Sequence, residues 1–284
     1  MISSNSLWRQ FSRNRLALAG AAVVLAIFSV AALASLLAPY DPEAIQVSAK
    51  LVAPSAKHLL GTDQLGRDVL SRMLLGSRIS LSVGFVAVFI SLAIGIIVGA
   101  VAGFYGGWTD SLLMRFVDVM MCFPAFFLIL TIVALLGPSI LNVMIIIGAT
   151  SWMGTARFVR AEFLSLRGRD FVCAARALGA RDGRMIFRHM LPNSLAPVFV
   201  SATLDVATAI LVEAGLSFLG FGVQPPAPSW GNILTEGRLY IFDAWWLTVF
   251  PGAAILITVL GFNLFGEGLR DALDPRLRRR EAAA

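Results

Sequence analysis

Three carboxylates stand inside or at the edge of long uncharged stretches: Asp118, Asp205 and Glu213. A charged group at the centre of a bilayer costs about 2.5–3.5 kcal/mol on insertion scales, so each needs a partner, a wet cavity or a task. Asp118 lies one helical turn from Arg115, and a local ion pair accounts for it. Glu213 falls near the end of its stretch. Asp205 lies about ten residues into the same stretch, ~15 Å deep at helical rise. All three are candidates for facing a solute pathway, with Asp205 foremost; an interhelical hydrogen bond is the competing reading for it. Other chemistry finds no footing. Lys50 and Lys57 are the only lysines, and neither follows a Gly-rich phosphate loop. No His/Glu pair is spaced for a metal on one helix, and there is no Gly-x-Ser-x-Gly elbow. Cys122 and Cys173 give neither a disulfide framework nor a metal spacing, and His58 and His189 read as surface residues. The expected catalytic and metal sets are empty.

The elements that must position these groups follow from composition. Hydrophobic residues make up 58% of 284, charged residues 14%, and the mean hydropathy is +0.81. A bilayer core takes about 20 apolar residues per helix. Uncharged runs predict an all-α integral membrane fold with six spans: Leu16–Ala38, about Ser80–Phe104, Leu113–Leu136, Ile140–Phe158, Leu195–Leu219 and Ala244–Gly266. Gly137-Pro138-Ser139 divides the third from the fourth, because proline cannot continue a helix. The first run is 23 residues long, more than the ~7–15 of a signal-peptide core, and reads as a retained anchor. Segments 1–15, 157–194 and 267–284 and the turn at Arg115 hold 17 of the 23 basic residues. That asymmetry predicts both termini in the cytoplasm, and it explains the net charge of +6 without nucleic acid. The organisation expected is a first span with an outer loop over 1–79, a five-helix core over 80–266 and a tail over 267–284.

The loop 157–194 holds eight arginines and reads CAARALGARDGRMIFRHMLPN from Cys173. Gly179 should end one helix, and Asp182 should cap a second short one that stops at Pro192. Here the chain resembles the membrane subunits of bacterial ABC importers. They carry Glu-Ala-Ala, three residues, Gly, nine residues, Ile, one residue, Leu-Pro. Ala174, Ala175, Gly179, Leu191 and Pro192 match; Cys173 replaces the usual glutamate and His189 the isoleucine. The resemblance implies a coupling segment that docks on a cytosolic ATPase, with Cys173 putting one ionic contact in doubt.

Two more stretches resemble the peptide, nickel and glutathione importers of that group. GTDQLGRDVLSRMLLGSRISL, 61–81, reads as an amphipathic helix on the outer face. LSFLGFGVQPPAPSWG, 216–231, is too rich in proline and glycine to continue a helix. It makes Pro225, Pro226 and Trp230 candidates for an outer gate or an interfacial anchor. The resemblance extends over nearly the whole chain and implies a type I ABC importer transmembrane fold in a bacterial inner membrane. The implied function is half of a translocation pathway for peptides or similar small solutes. The implied partners are a second homologous permease, two cytosolic ATPases and a periplasmic or extracellular binding protein, with ATP and Mg on the ATPases and no cofactor here. The alternative from the residues alone is a proton-coupled secondary transporter using Asp205 and Glu213.

Overall fold

The computed structural model describes residues 11–12 and 14–273. Among them the regular elements are helices. Helix α1 spans Arg15–Leu37, started by Asn14, whose side chain accepts from the Leu16 and Ala17 amides. Helix α2 spans Val69–Tyr105; Asp68 accepts from the Ser71 amide, and Gly106 ends it at φ +67. Next come α3 (Gly107–Met121), α4 (Ala125–Leu136), α5 (Ile140–Arg167) and α6 (Asp170–Ala177). Then follow α7 (Asp182–Phe218), α8 (Trp230–Gly237) and α9 (Trp246–Leu273).

The all-helical membrane fold stands, while length and composition alone do not single out all six expected spans. Four helices, α1, α2, α7 and α9, are long and apolar enough to cross a membrane, and α3 with α4 makes a fifth if the bent pair counts as one. The run Leu113–Leu136 is not a straight helix: it bends by 81° across Cys122-Phe123-Pro124. Pro124 has no amide hydrogen with which to carry α3 onward. Helix α5 has the length, but Asn142, Thr150, Ser151, Thr155 and Arg157 dilute its apolar character, and it continues past Phe158 to Arg167. Helix α9 likewise runs on to Leu273, into the expected tail; residues 274–284 lie outside the described ones.

Helix α2 is the axis of the bundle. Gly95, Gly99 and Gly103 recur every fourth residue along its face toward α5. A Cβ added at Gly99 would come 2.4 Å from the Ala156 carbonyl oxygen, and at Gly95 or Gly103 2.6 Å from a side chain of α5. Gly148 of α5 returns the contact, 2.6 Å from the Ala87 carbonyl. In lipid there is little hydrophobic drive between helices, so close backbone approach through small residues supplies the attraction. Helices α1 and α9 pair by the same device at Gly20, Gly261 and Gly268. Val83, Ala87, Ile147, Val206 and Ile210 fill the centre among α2, α5 and α7, joined by Ile129 and Val133 of α4.

Helix α7 corrects a second expectation. The short helix from Asp182 does not stop at Pro192 but runs through it as one element of 37 residues. The turn Met185–Met190 is widened to i→i+5 bonding, the kind of adjustment that lets a helix pass a residue with no amide hydrogen to give.

Candidate functional site

The loop between α5 and α7 is a helical hairpin with two unlike faces. Val172, Met185 and Met190 are buried against Phe163, Val159 and Phe104, so the hairpin is anchored to the ends of α2 and α5. Gly179 holds φ +79, and the Gly179 and Ala180 amides donate to the Arg176 and Ala175 carbonyls. Nothing lies within 4 Å of a Cβ built there, so backbone conformation rather than space calls for glycine. On the outward face Leu178 is 89% exposed and Phe187 70%, beside Arg176, Arg181, Arg184 and Arg188. Cys173, Ala174, Gly179 and Pro192 are exposed there too, whereas Ala175 and Leu191 are half-buried. Asp182 does not cap by its side chain: Arg181 holds the N-cap position, and Asp182 places its charge in the first turn of α7, where it favours the amide dipoles.

At the other end of the bundle, 61–81 is not a surface amphipathic helix. Helix α2 begins only at Val69, and the charges point inward: Asp63, Arg67, Asp68 and Arg72 are each at most 5% exposed. Arg72 donates to Asp63 at 2.6 Å and to Glu236 of α8 at 2.6 and 3.1 Å. Arg67 donates to the same two carboxylates at 2.6 and 2.9 Å. Two guanidiniums and two carboxylates neutralise one another, which is why a charged stretch can turn into the core. Burial alone would push Glu236 up, but the hydrogen bonds and charges of Arg72, with Arg67 and Gln64, hold it below its usual range. His58 is buried, not superficial, with Nδ1 2.9 Å from Asp68.

Trp230 is likewise no interfacial anchor. It is 4% exposed; its amide donates to Ser80 Oγ at 3.2 Å and its indole to the Met73 carbonyl at 3.1 Å. Ser229 caps α8 and donates to Glu213 Oε1 at 3.0 Å, which also accepts from Ser217 at 2.7 Å. Glu213 is fully buried where α7 meets α8, so the structure brings Glu213 and Trp230 together and leaves Pro225 and Pro226 exposed on the loop between. Asp118 pairs across helices with Arg157 rather than with Arg115, and Asp110 with Arg160. Asp205 has no hydrogen-bond or ion-pair partner among the described residues and lines a cavity of about 40 Å³ between α2, α5 and α7. The four-residue glycine series and the role of Glu236 went unread in the sequence. The first had a visible signal in its spacing; the second had none, since Glu236 lies 164 positions from Arg72.

Membrane-length helices packed through glycine, with an anchored hairpin offering a basic, small-residue face, define a polytopic membrane protein. The chain belongs to the family of binding-protein-dependent transport system inner membrane components, whose model matches residues 95–279. Residues 5–54 match the N-terminal TM domain of oligopeptide transport permease C. The chain is 45% identical over 271 residues to the dipeptide transport system permease protein DppC of Alkalihalophilus pseudofirmus, covering 95% of this chain and 89% of that one. It is 42% identical over 272 residues to the glutathione transport system permease protein GsiD of Pectobacterium atrosepticum, covering 95% and 90%. In fold it is similar to a chain of the MetNI methionine ABC transporter in inward-facing form, with TM-score 0.54 and 20% identity over 71% of this chain and 96% of that one. The chain is thus a multi-pass inner-membrane permease of an ABC importer with the type I fold, and ATP hydrolysis belongs to partner subunits.

Proposed function

We propose that this permease forms half of the translocation pathway for peptides or peptide-like small solutes. It pairs with a second homologous permease and receives cargo from an extracellular or periplasmic binding protein. Both termini and the hairpin 170–192 lie in the cytoplasm, where one of two ATPase subunits grips the hairpin and the pair holds the ATP and Mg. This chain binds no cofactor of its own. Names of relatives that carry dipeptides and glutathione support the cargo class.

The observation supporting the coupling role is the hairpin's division of faces. Buried Val172, Met185 and Met190 make it rigid with the bundle, so a push on exposed Ala174, Leu178 and Phe187 reaches α5 and α7 without being lost in a flexible loop. Cys173 stands on that outward face without the carboxylate usual there, so the one ionic contact that carboxylate would make is missing from the grip.

The test is purification from mild detergent with Cys173 as reporter. The chain should bring down ATPase subunits, and Cys173 should react with a membrane-impermeant maleimide several-fold faster after the ATPases are stripped with urea. Transport by a homo-oligomer of this chain alone, or Cys173 labelling indifferent to the ATPases, would overturn the proposal.

A further inference from the structure

Along the seam between α2 and α5, the close packing through glycine is interrupted beside Ser91. Gly148 sits against the Ala87 carbonyl on one side, and Gly95 against Thr155 and the Trp152 carbonyl on the other. Between these contacts Ser91 continues the four-residue series of Gly95, Gly99 and Gly103 but meets a cavity instead of α5. Ser91 is 2% exposed, and its hydroxyl has no hydrogen-bond partner among the described residues. Asp205 of α7, also unpartnered among the described residues, lines the same cavity. Ser151 and Thr208, both exposed, also line it; their hydroxyls donate to the Ile147 and Leu204 carbonyls, which leaves each oxygen able to accept. A void of about 40 Å³ admits a few water-sized groups and no side chain.

A carboxylate and several hydroxyl oxygens around a space of that size, with no cation among the described residues paired to them, suit a small positive charge. We propose that Asp205 and Ser91, together with Ser151 and Thr208, bind the protonated primary amine of a passing solute, the rest of which stays outside the cavity. The proposal rests on the pathway reading above and names the part of the solute this chain would sense. Ammonium geometry suits the set: three N–H donors can be shared between one carboxylate and neutral oxygens. The seam packs tightly on both sides of Ser91, so the site is held rigid, and a bulkier cationic head would be excluded.

The test uses the assembled complex in proteoliposomes, with Cys122→Ser and Cys173→Ser in this chain and Thr208→Cys as reporter. Modification at position 208 is followed by mass spectrometry. Cationic 2-aminoethyl methanethiosulfonate should outpace the neutral methyl reagent by about tenfold beyond their ratio on free cysteine, as a nearby unit charge dictates. Asp205→Asn should erase that excess and Asp205→Glu restore it. Dialanine should slow the neutral reagent, whereas N-acetyl-dialanine should not. Absence of the cationic preference would overturn the proposal by showing the carboxylate neutralised, for instance by a basic residue of the second permease. Equal protection by sodium or potassium chloride would overturn it in favour of an inorganic ion. Should Asp205→Asn fail to assemble, the reagent preference and the dialanine protection decide in the unsubstituted background. Loss of ATPase stimulation by the binding protein would instead count against the importer reading, and it is measured separately.

Discussion

Removing the Arg72 guanidinium leaves Asp63 and Glu236 facing each other across a buried space with only Arg67 between them. Breaking a buried pair on one side costs about 3–5 kcal/mol, chiefly because the surviving charge loses its compensation. Arg72→Met should therefore lower the thermal midpoint of the detergent-purified complex markedly, and adding Glu236→Gln should recover part of the loss. The pH dependence follows from the same geometry. Glu236 is held below its usual value of 4.5, so its contribution is complete above that value and is lost as pH falls through the lower folded value. The difference in midpoint between the native chain and Glu236→Gln should stay constant from about pH 8 to about pH 5 and narrow only at more acid pH. A difference that fades near neutrality would contradict the pairing. At this scale the sequence told which residues were charged but not which way they faced. Asp63, Arg67, Asp68 and Arg72 read as a solvated face because helical spacing says nothing of a carboxylate more than a hundred and fifty positions away.

The helices meet through glycine, and the seam between α2 and α5 is the most demanding contact. A Cβ at Gly99 would press 2.4 Å from a backbone oxygen that cannot swing aside, and overpacking of this kind costs about 1–3 kcal/mol. Gly99→Ala should lower the thermal midpoint and the yield of assembled complex. Gly154→Ala, on α5 with nothing within 4 Å, should be neutral or slightly stabilising, because alanine is the better helix former. Equal losses for the two would mean that the seam does not depend on close approach. Element existence was legible from apolar runs, and Gly137 and Gly179 stop their helices where the sequence places the breaks. What was not legible was continuation. Helix α7 passes Pro192, and α2 starts eleven residues before its apolar run, since tertiary contacts and a widened turn can hold a helix that local signals would end.

For the molecule as a whole, the orientation can be checked through residues already exposed. Cys173 should be labelled by an impermeant maleimide only in inside-out vesicles, while Lys57→Cys in the outer loop should react in intact cells; the reverse pattern would invert the proposed topology. The sequence by itself determined the solvent, the approximate placing of the spans, the hairpin around Gly179 and the absence of a phosphate loop, because each depends on composition or on residues within a few turns of one another. The tertiary structure alone decided that the outer charges close into a buried clamp with α8, that Trp230 is a core residue, that Asp118 reaches Arg157, and that Asp205 and Ser91 share one cavity. Those are relations between distant segments. A linear pattern fixes the angle of a side chain around its own helix; only packing fixes what stands opposite.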